Sequence, residues 1–226
     1  MQHQRGLLRP CGTSDRWLSQ LIVLALAVVS CFLLNVQAAS AAARAETPLD
    51  ELRRSFTVGG KPVPPEVFRD LGDGDLADSD SILVTVDVTA AIGSNRYFDD
   101  ITMANGWVTQ IKPARKPPDP VEQTAYMYIG RTENDLLIVI ASYSGGGSGV
   151  FYTLHILDAV PAKGLNSAGK RYDRLNVIAV RSVPLGDRWD GHAKIDGNAI
   201  SIETKGRTPD GQDRKSTTRI IRAERP

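Results

Sequence analysis

The sequence predicts a mainly β fold: an antiparallel sandwich or partly open barrel of about eight or nine short strands, with short helices at its N-terminal end. Three observations predict it. From Ile82 onward the apolar residues recur with a period of two and are rich in β-branched side chains, as on a half-buried strand. Turn signals such as Glu133-Asn134-Asp135, Asp196-Gly197 and Thr208-Pro209-Asp210-Gly211 punctuate these runs at short intervals. Helix-start chemistry sits ahead of residue 72.

In chain order, residues 1–45 have the grammar of a secretory signal peptide. Arg5, Arg9 and Arg16 make a basic start, Leu21–Leu34 is an apolar run of 14, and Ala38–Ala45 is a small-residue exit. Cleavage is expected after Ala45, with Ala41 as the alternative. An uncleaved anchor is the rival, because Trp17–Ala39 gives about 23 mostly apolar residues. Both readings export the remainder of the chain. Thr47-Pro48-Leu49-Asp50 starts a short helix to about Ser55, with Thr as cap, Pro at the first position and Asp at the positive end. Gly59-Gly60 breaks it, Pro64–Leu71 restarts a turn or two, and Gly72–Ser81 is an acidic loop.

Strands follow at Leu83–Thr89, Trp107–Lys112, Ala125–Gly130, Leu136–Ser142, Val150–Leu157, Leu175–Val183, a hairpin at Ala193–Glu203, and Arg219–Arg222. Leu136–Ala141 is apolar throughout, which places it at the sheet centre, buried on both faces. Lys112–Pro120 carries four prolines and reads as an extended loop. The organisation is therefore 1–45 signal peptide, 46–80 helical lead and acidic loop, and 81–226 β-rich, with 46–226 as one globular unit.

Charge and cysteine content exclude several function classes. Residues 46–226 hold 23 basic and 25 acidic side chains, a balance unsuited to nucleic acid. Both cysteines, Cys11 and Cys31, precede residue 45, so the exported part is built without disulfides or thiolate metal. No cofactor is expected. The aspartates of 70–80 miss the register of a calcium loop and read as a solvated surface. The basic stretch 205–226 reads as protected edge strands.

Three loops are candidate rims of one ligand site. Ser144-Gly145-Gly146-Gly147-Ser148-Gly149 can expose backbone amides to an anion. It lacks the Lys-Ser/Thr and the helix of a P-loop, and the strand that follows it excludes a nucleophile elbow. Asn95, Arg96, Tyr97 and Asp99 bring an amide, a cation, a ring and a carboxylate into one loop. Asp187, Arg188 and His192 form a polar cluster in which Arg188 suits a carboxylate or phosphate. Each has a plainer reading: a flexible turn, a loop plugged by Tyr97 and Phe98, and a rim ion pair.

Gly60-Lys61-Pro62-Val63-x-Pro65, Ser94-Asn95-x-Tyr97-Phe98, Gly106-Trp107 and Gly145-Gly146-Gly147-Ser148-Gly149-x-Phe151-x-x-Leu154 occur in this order. With Leu185-Gly186-Asp187-Arg188 and Ile195-Asp196-Gly197-Asn198-x-Ile200, the chain resembles exported proteobacterial envelope proteins of unknown function over most of 56–203. The resemblance implies a secreted β-rich domain, and it transfers no activity and no catalytic residue. Some of those proteins carry cysteines near the C-terminus; this chain has none there. The expected role is a non-enzymatic binding or accessory module of the periplasm, with a small ligand or an envelope protein as partner. The alternatives are a hydrolase, with His155 or His192 beside a serine or carboxylate in a cleft, and a protein that pairs through a sheet edge.

Overall fold

The computed structural model describes residues 46–71, 84–93, 101–112, 116, 120–207 and 213–225. Residues 1–45, the acidic loop, the loop bearing Asn95, Arg96, Tyr97 and Asp99, most of the proline-rich loop and the turn at 208–212 lie outside them.

Helix α1 (Pro48–Ser55) forms where its start chemistry places it. Thr47 Oγ1 accepts from the Asp50 amide at 3.2 Å, and Asp50 accepts in return from the Thr47 amide at 3.3 Å. This reciprocal pair is a capping box. The helix ends at Phe56, which is left-handed at φ 56°. A bulky residue holds that backbone when other contacts compensate for it. Here the ring is fully buried against Phe68, Tyr126 and Tyr128. Glu51 fixes the next turn, accepting from the Gly59 and Gly60 amides at 2.7 Å each and from the Thr57 hydroxyl at 2.8 Å. These bonds, that from Gly60 foremost, hold its carboxyl below the ordinary range. The turn joins β1 (Thr57–Val58) to β2 (Lys61–Pro62), and α2 (Val67–Asp70) follows as one helical turn.

β3 (Thr85–Asp87), β4 (Thr102–Ala104), β5 (Trp107–Lys112), β6 (Glu122–Arg131), β7 (Leu137–Ser144), β8 (Phe151–Leu165) and β9 (Arg171–Asp187) form one antiparallel sheet. Its order is β3-β9-β8-β7-β6-β5-β4, so β7 lies at the centre, where the apolar run 136–141 predicts it. A second antiparallel sheet comprises β10 (Gly191–Asp196), β11 (Ala199–Arg207) and β12 (Asp213–Arg222). The fold is mainly β, and the large sheet does not close into a barrel; of the two predicted architectures, the layered one is present.

Several strands differ from expectation: β4 has no predicted counterpart, and β12 begins at Asp213 rather than Arg219. The strand predicted over Leu83–Thr89 stops at Asp87, and α3 (Val88–Gly93) begins. Asp87 Oδ1 accepts from the Ala90 amide at 3.1 Å, a local bond that competes with extended pairing. β8 and β9 run far past the predicted Leu157 and start before Leu175, forming a long hairpin closed over Asn166–Lys170. Pro161 obscures that extension in the sequence. It is tolerated because β8 pairs with β7 only as far as Leu157.

Each face of the central sheet carries its own core. On one face, Leu137, Val139 and Ala141 of β7 pack with Leu52, Phe56, Phe68 and Val88 of the helical layer. On the other, Leu136, Ile138 and Ile140 pack with Ile200, Ile202 and Ile221 of the small sheet. β9 serves both faces through bulges. Leu175 and Val177 face the helices, and a register shift opposite Ile156/Leu157 then turns Val183 to the small sheet. Two hairpin turns lock the layers. The Glu133 amide donates to Gly197 O at 3.2 Å and the Asn134 amide to Asn198 Oδ1 at 2.9 Å. Asn134 Nδ2 reaches Ala223 O at 2.8 Å. The turn residues of the second hairpin are Gly197-Asn198, one position later than the predicted Asp196-Gly197, because Asp196 pairs with Ala199.

Candidate functional site

Two of the three sequence-derived clusters meet. The glycine loop joins β7 to β8, and β9 ends beside it, since Phe151 pairs with Asp187. Asp187 Oδ1 accepts from the Val150 amide at 2.8 Å, and the Arg188 amide donates to Val150 O at 2.7 Å. The Arg188 guanidinium donates to Ser148 O. Within the loop, Ser144 Oγ accepts from the Gly146 amide at 3.4 Å. Asp187 and Arg188 thus fasten the loop backbone. This is a structural use of the carboxylate and guanidinium that the sequence offers for ligand recognition. Gly146 sits at φ 85°, and a Cβ there would lie 2.8 Å from the Val121 amide. Gly147 has open space around it.

His192 is engaged elsewhere. It stands opposite Glu203 on the small sheet, its Nε2 3.3 Å from Glu203 Oε2, and it is largely exposed. Among the described residues no hydrogen bond or ion pair joins it to the glycine loop.

Sequence reading misses the cavity immediately inward of that loop. It offers about 190 Å³ between α2 and strands β6–β8, on the helical face of the sheet, and is partly open to solvent. Phe68 and Arg69 come from α2, Thr124 from β6, and Tyr143, Thr153 and His155 from β7 and β8. Phe151, at the start of β8, stands at its edge and is mostly exposed. The alternation of the strands explains this convergence. Thr124 pairs with Tyr143, Ala141 with Thr153, and Val139 with His155, and all project to the face that carries the α2 layer. Polar residues at positions whose parity predicts core are the signal that points to them.

His155 is 2% exposed, with the Phe68 ring 5.3 Å away. Burial lowers its pKa to about 4, so the ring is neutral at physiological pH. Its Nδ1 lies 2.9 Å from Ser182 Oγ on β9. Ser182 faces His155 because of the register shift in β9. Thr124 is 3% exposed, and its hydroxyl has no hydrogen-bond partner among the described residues. Arg69 is half exposed and lies 3.4 Å from Glu122, which Lys112 holds more closely at 2.7 Å. The cavity therefore combines rings, hydroxyls, a neutral imidazole and one guanidinium. Among the described residues no group of three or more His, Cys, Asp and Glu side chains is placed to hold a metal ion, and no helix is long and apolar enough to cross a membrane. Comparison of the chain with protein-family models, with curated proteins and with solved structures finds no match.

Proposed function

We propose that this protein is an exported, non-enzymatic binding module of the bacterial cell envelope, and that the cavity beneath α2 is its small-molecule site. Export is supported by the basic, apolar and small-residue order of 1–45 and by the absence of cysteine after it. The resemblance to exported proteobacterial envelope proteins agrees with it. The observation that carries the binding reading is the Thr124 hydroxyl: buried, unpartnered and in the wall of a cavity large enough for a ligand. An unpaired buried hydroxyl costs about 1–3 kcal/mol, and a ligand atom that pairs with it recovers that cost. Concave sites in which rings and convergent polar groups meet are a usual form of small-molecule site.

A melting scan of the purified protein against organic acids, amines, sugars and cell-wall fragments tests this. A ligand at about a hundred times its Kd adds about 2.7 kcal/mol and raises Tm by several degrees. A scan with no shift in any class removes the small-molecule reading and favours a protein partner.

One observation favours a second reading, a hydrolase: the 2.9 Å contact of His155 with Ser182. Two features weigh against it. A ring that protonates near pH 4 is a weak base, and Ser182 is absent from the cavity wall. Turnover of chromogenic acyl esters that disappears in Ser182→Ala would establish the hydrolase instead.

A further inference from the structure

We infer that the ligand of this cavity is a small aryl monocarboxylate, seated with its ring among Phe68, Tyr143 and Phe151 and its carboxylate on Arg69. The inference rests on the binding reading above and specifies its ligand class.

Size comes first. A cavity of about 150 Å³ is enough for benzene. A space of about 190 Å³ therefore takes one ring with a small substituent. The wall chemistry then selects the ring. Phe68 lines it from α2, Tyr143 and Phe151 stand on either side of the glycine loop, and aromatic pairs prefer such offset or edge contacts.

Charge selects the substituent. Arg69 is the one charged side chain in the described wall, since burial keeps His155 neutral. Its hydrogen bond to Glu122 is 3.4 Å long, uses one of the two terminal guanidinium nitrogens, and is shared with Lys112, which lies closer at 2.7 Å. A guanidinium matches a carboxylate with two parallel hydrogen bonds. One cation and no second charged group in the described wall fit a monoanion and disfavour a dianion or an amine.

The experiment is calorimetric titration of the purified protein with benzoate, benzamide and acetate at low ionic strength, repeated on Arg69→Gln. Arg69 is half exposed, so the variant folds; its melting curve checks this. The expected result is benzoate binding at least about tenfold tighter than either other probe, with that preference lost in Arg69→Gln. Equal binding of benzamide and benzoate overturns the charge assignment and leaves the cavity a binding site. Equal binding of acetate and benzoate overturns the ring assignment. If none of the three binds while another class in the melting scan does, the aryl carboxylate is wrong and the binding reading stands. If nothing binds in either experiment, both fall.

Discussion

His155 shows how one side chain's surroundings set its behaviour. Its strand parity sends it inward, Phe68 covers it, and desolvation penalises the protonated ring. In the unfolded chain the imidazole takes a proton near pH 6.5; in the folded protein it does so only near pH 4. Between those values the unfolded state holds the extra proton, so stability falls as pH falls through that window. The linkage is at most about 3 kcal/mol and is complete below pH 4. Urea unfolding between pH 7 and 4 measures it. Other acids titrate in the same range, so the comparison is with His155→Asn. The variant should lose less stability than the native protein over the window, and equal losses would show that His155 does not titrate as a buried ring.

At the scale of elements, the glycine loop is a turn that the adjoining strand ends hold closed. Gly146 needs a backbone at φ 85° and lies against Pro120 and Val121, whereas Gly147 faces open space. Gly146→Ala should cost more than about 1 kcal/mol, because the side chain meets both backbone strain and a steric clash. Gly147→Ala should stay within about 0.5 kcal/mol. Chemical denaturation of the two variants separates them, and equal effects would mean that the Pro120 contact does not form in solution. Loop, Asp187 and Arg188 form one hydrogen-bonded unit. Asp187 and Arg188 thereby fix the backbone between Tyr143 and Phe151, two residues of the cavity wall.

For the molecule as a whole, β7 is shared by two cores. Leu137 belongs to the helical side and Ile138 to the small-sheet side, and both are fully buried. Because they are neighbours on one strand, the layers should unfold together. Leu137→Ala and Ile138→Ala are each expected to cost about 2–5 kcal/mol and to lower one common transition. Ile220→Ala, on an exposed edge, should change stability by less than about 0.5 kcal/mol. Trp107 and Trp189 pack on the small-sheet side, so tryptophan fluorescence reports that core while far-ultraviolet dichroism reports the whole. A fluorescence transition unmoved by Leu137→Ala would show that the layers melt separately.

The sequence by itself determined the elements whose chemistry is local. Thr47, Pro48 and Asp50 define α1 through a cap spanning three residues, and the unbroken apolar run at 136–141 identifies the central strand because both its faces are dry. The glycine loop meets Asp187 and Arg188, two clusters that the sequence singles out, but their use as a backbone clasp was not legible. The cavity depended on the tertiary structure. Leu175, Val177 and Val183 have the same parity, yet a bulge sends Val183 to the opposite core and sets Ser182 beside His155. A one-residue register shift leaves the hydrophobic period of the chain unchanged and reverses the faces, so pairing between strands decides what the pattern cannot. Phe68 and Arg69 join Thr124 and His155 only because α2 folds across the sheet, a contact over 55 to 87 residues of chain whose energy lies in packing rather than in any local preference.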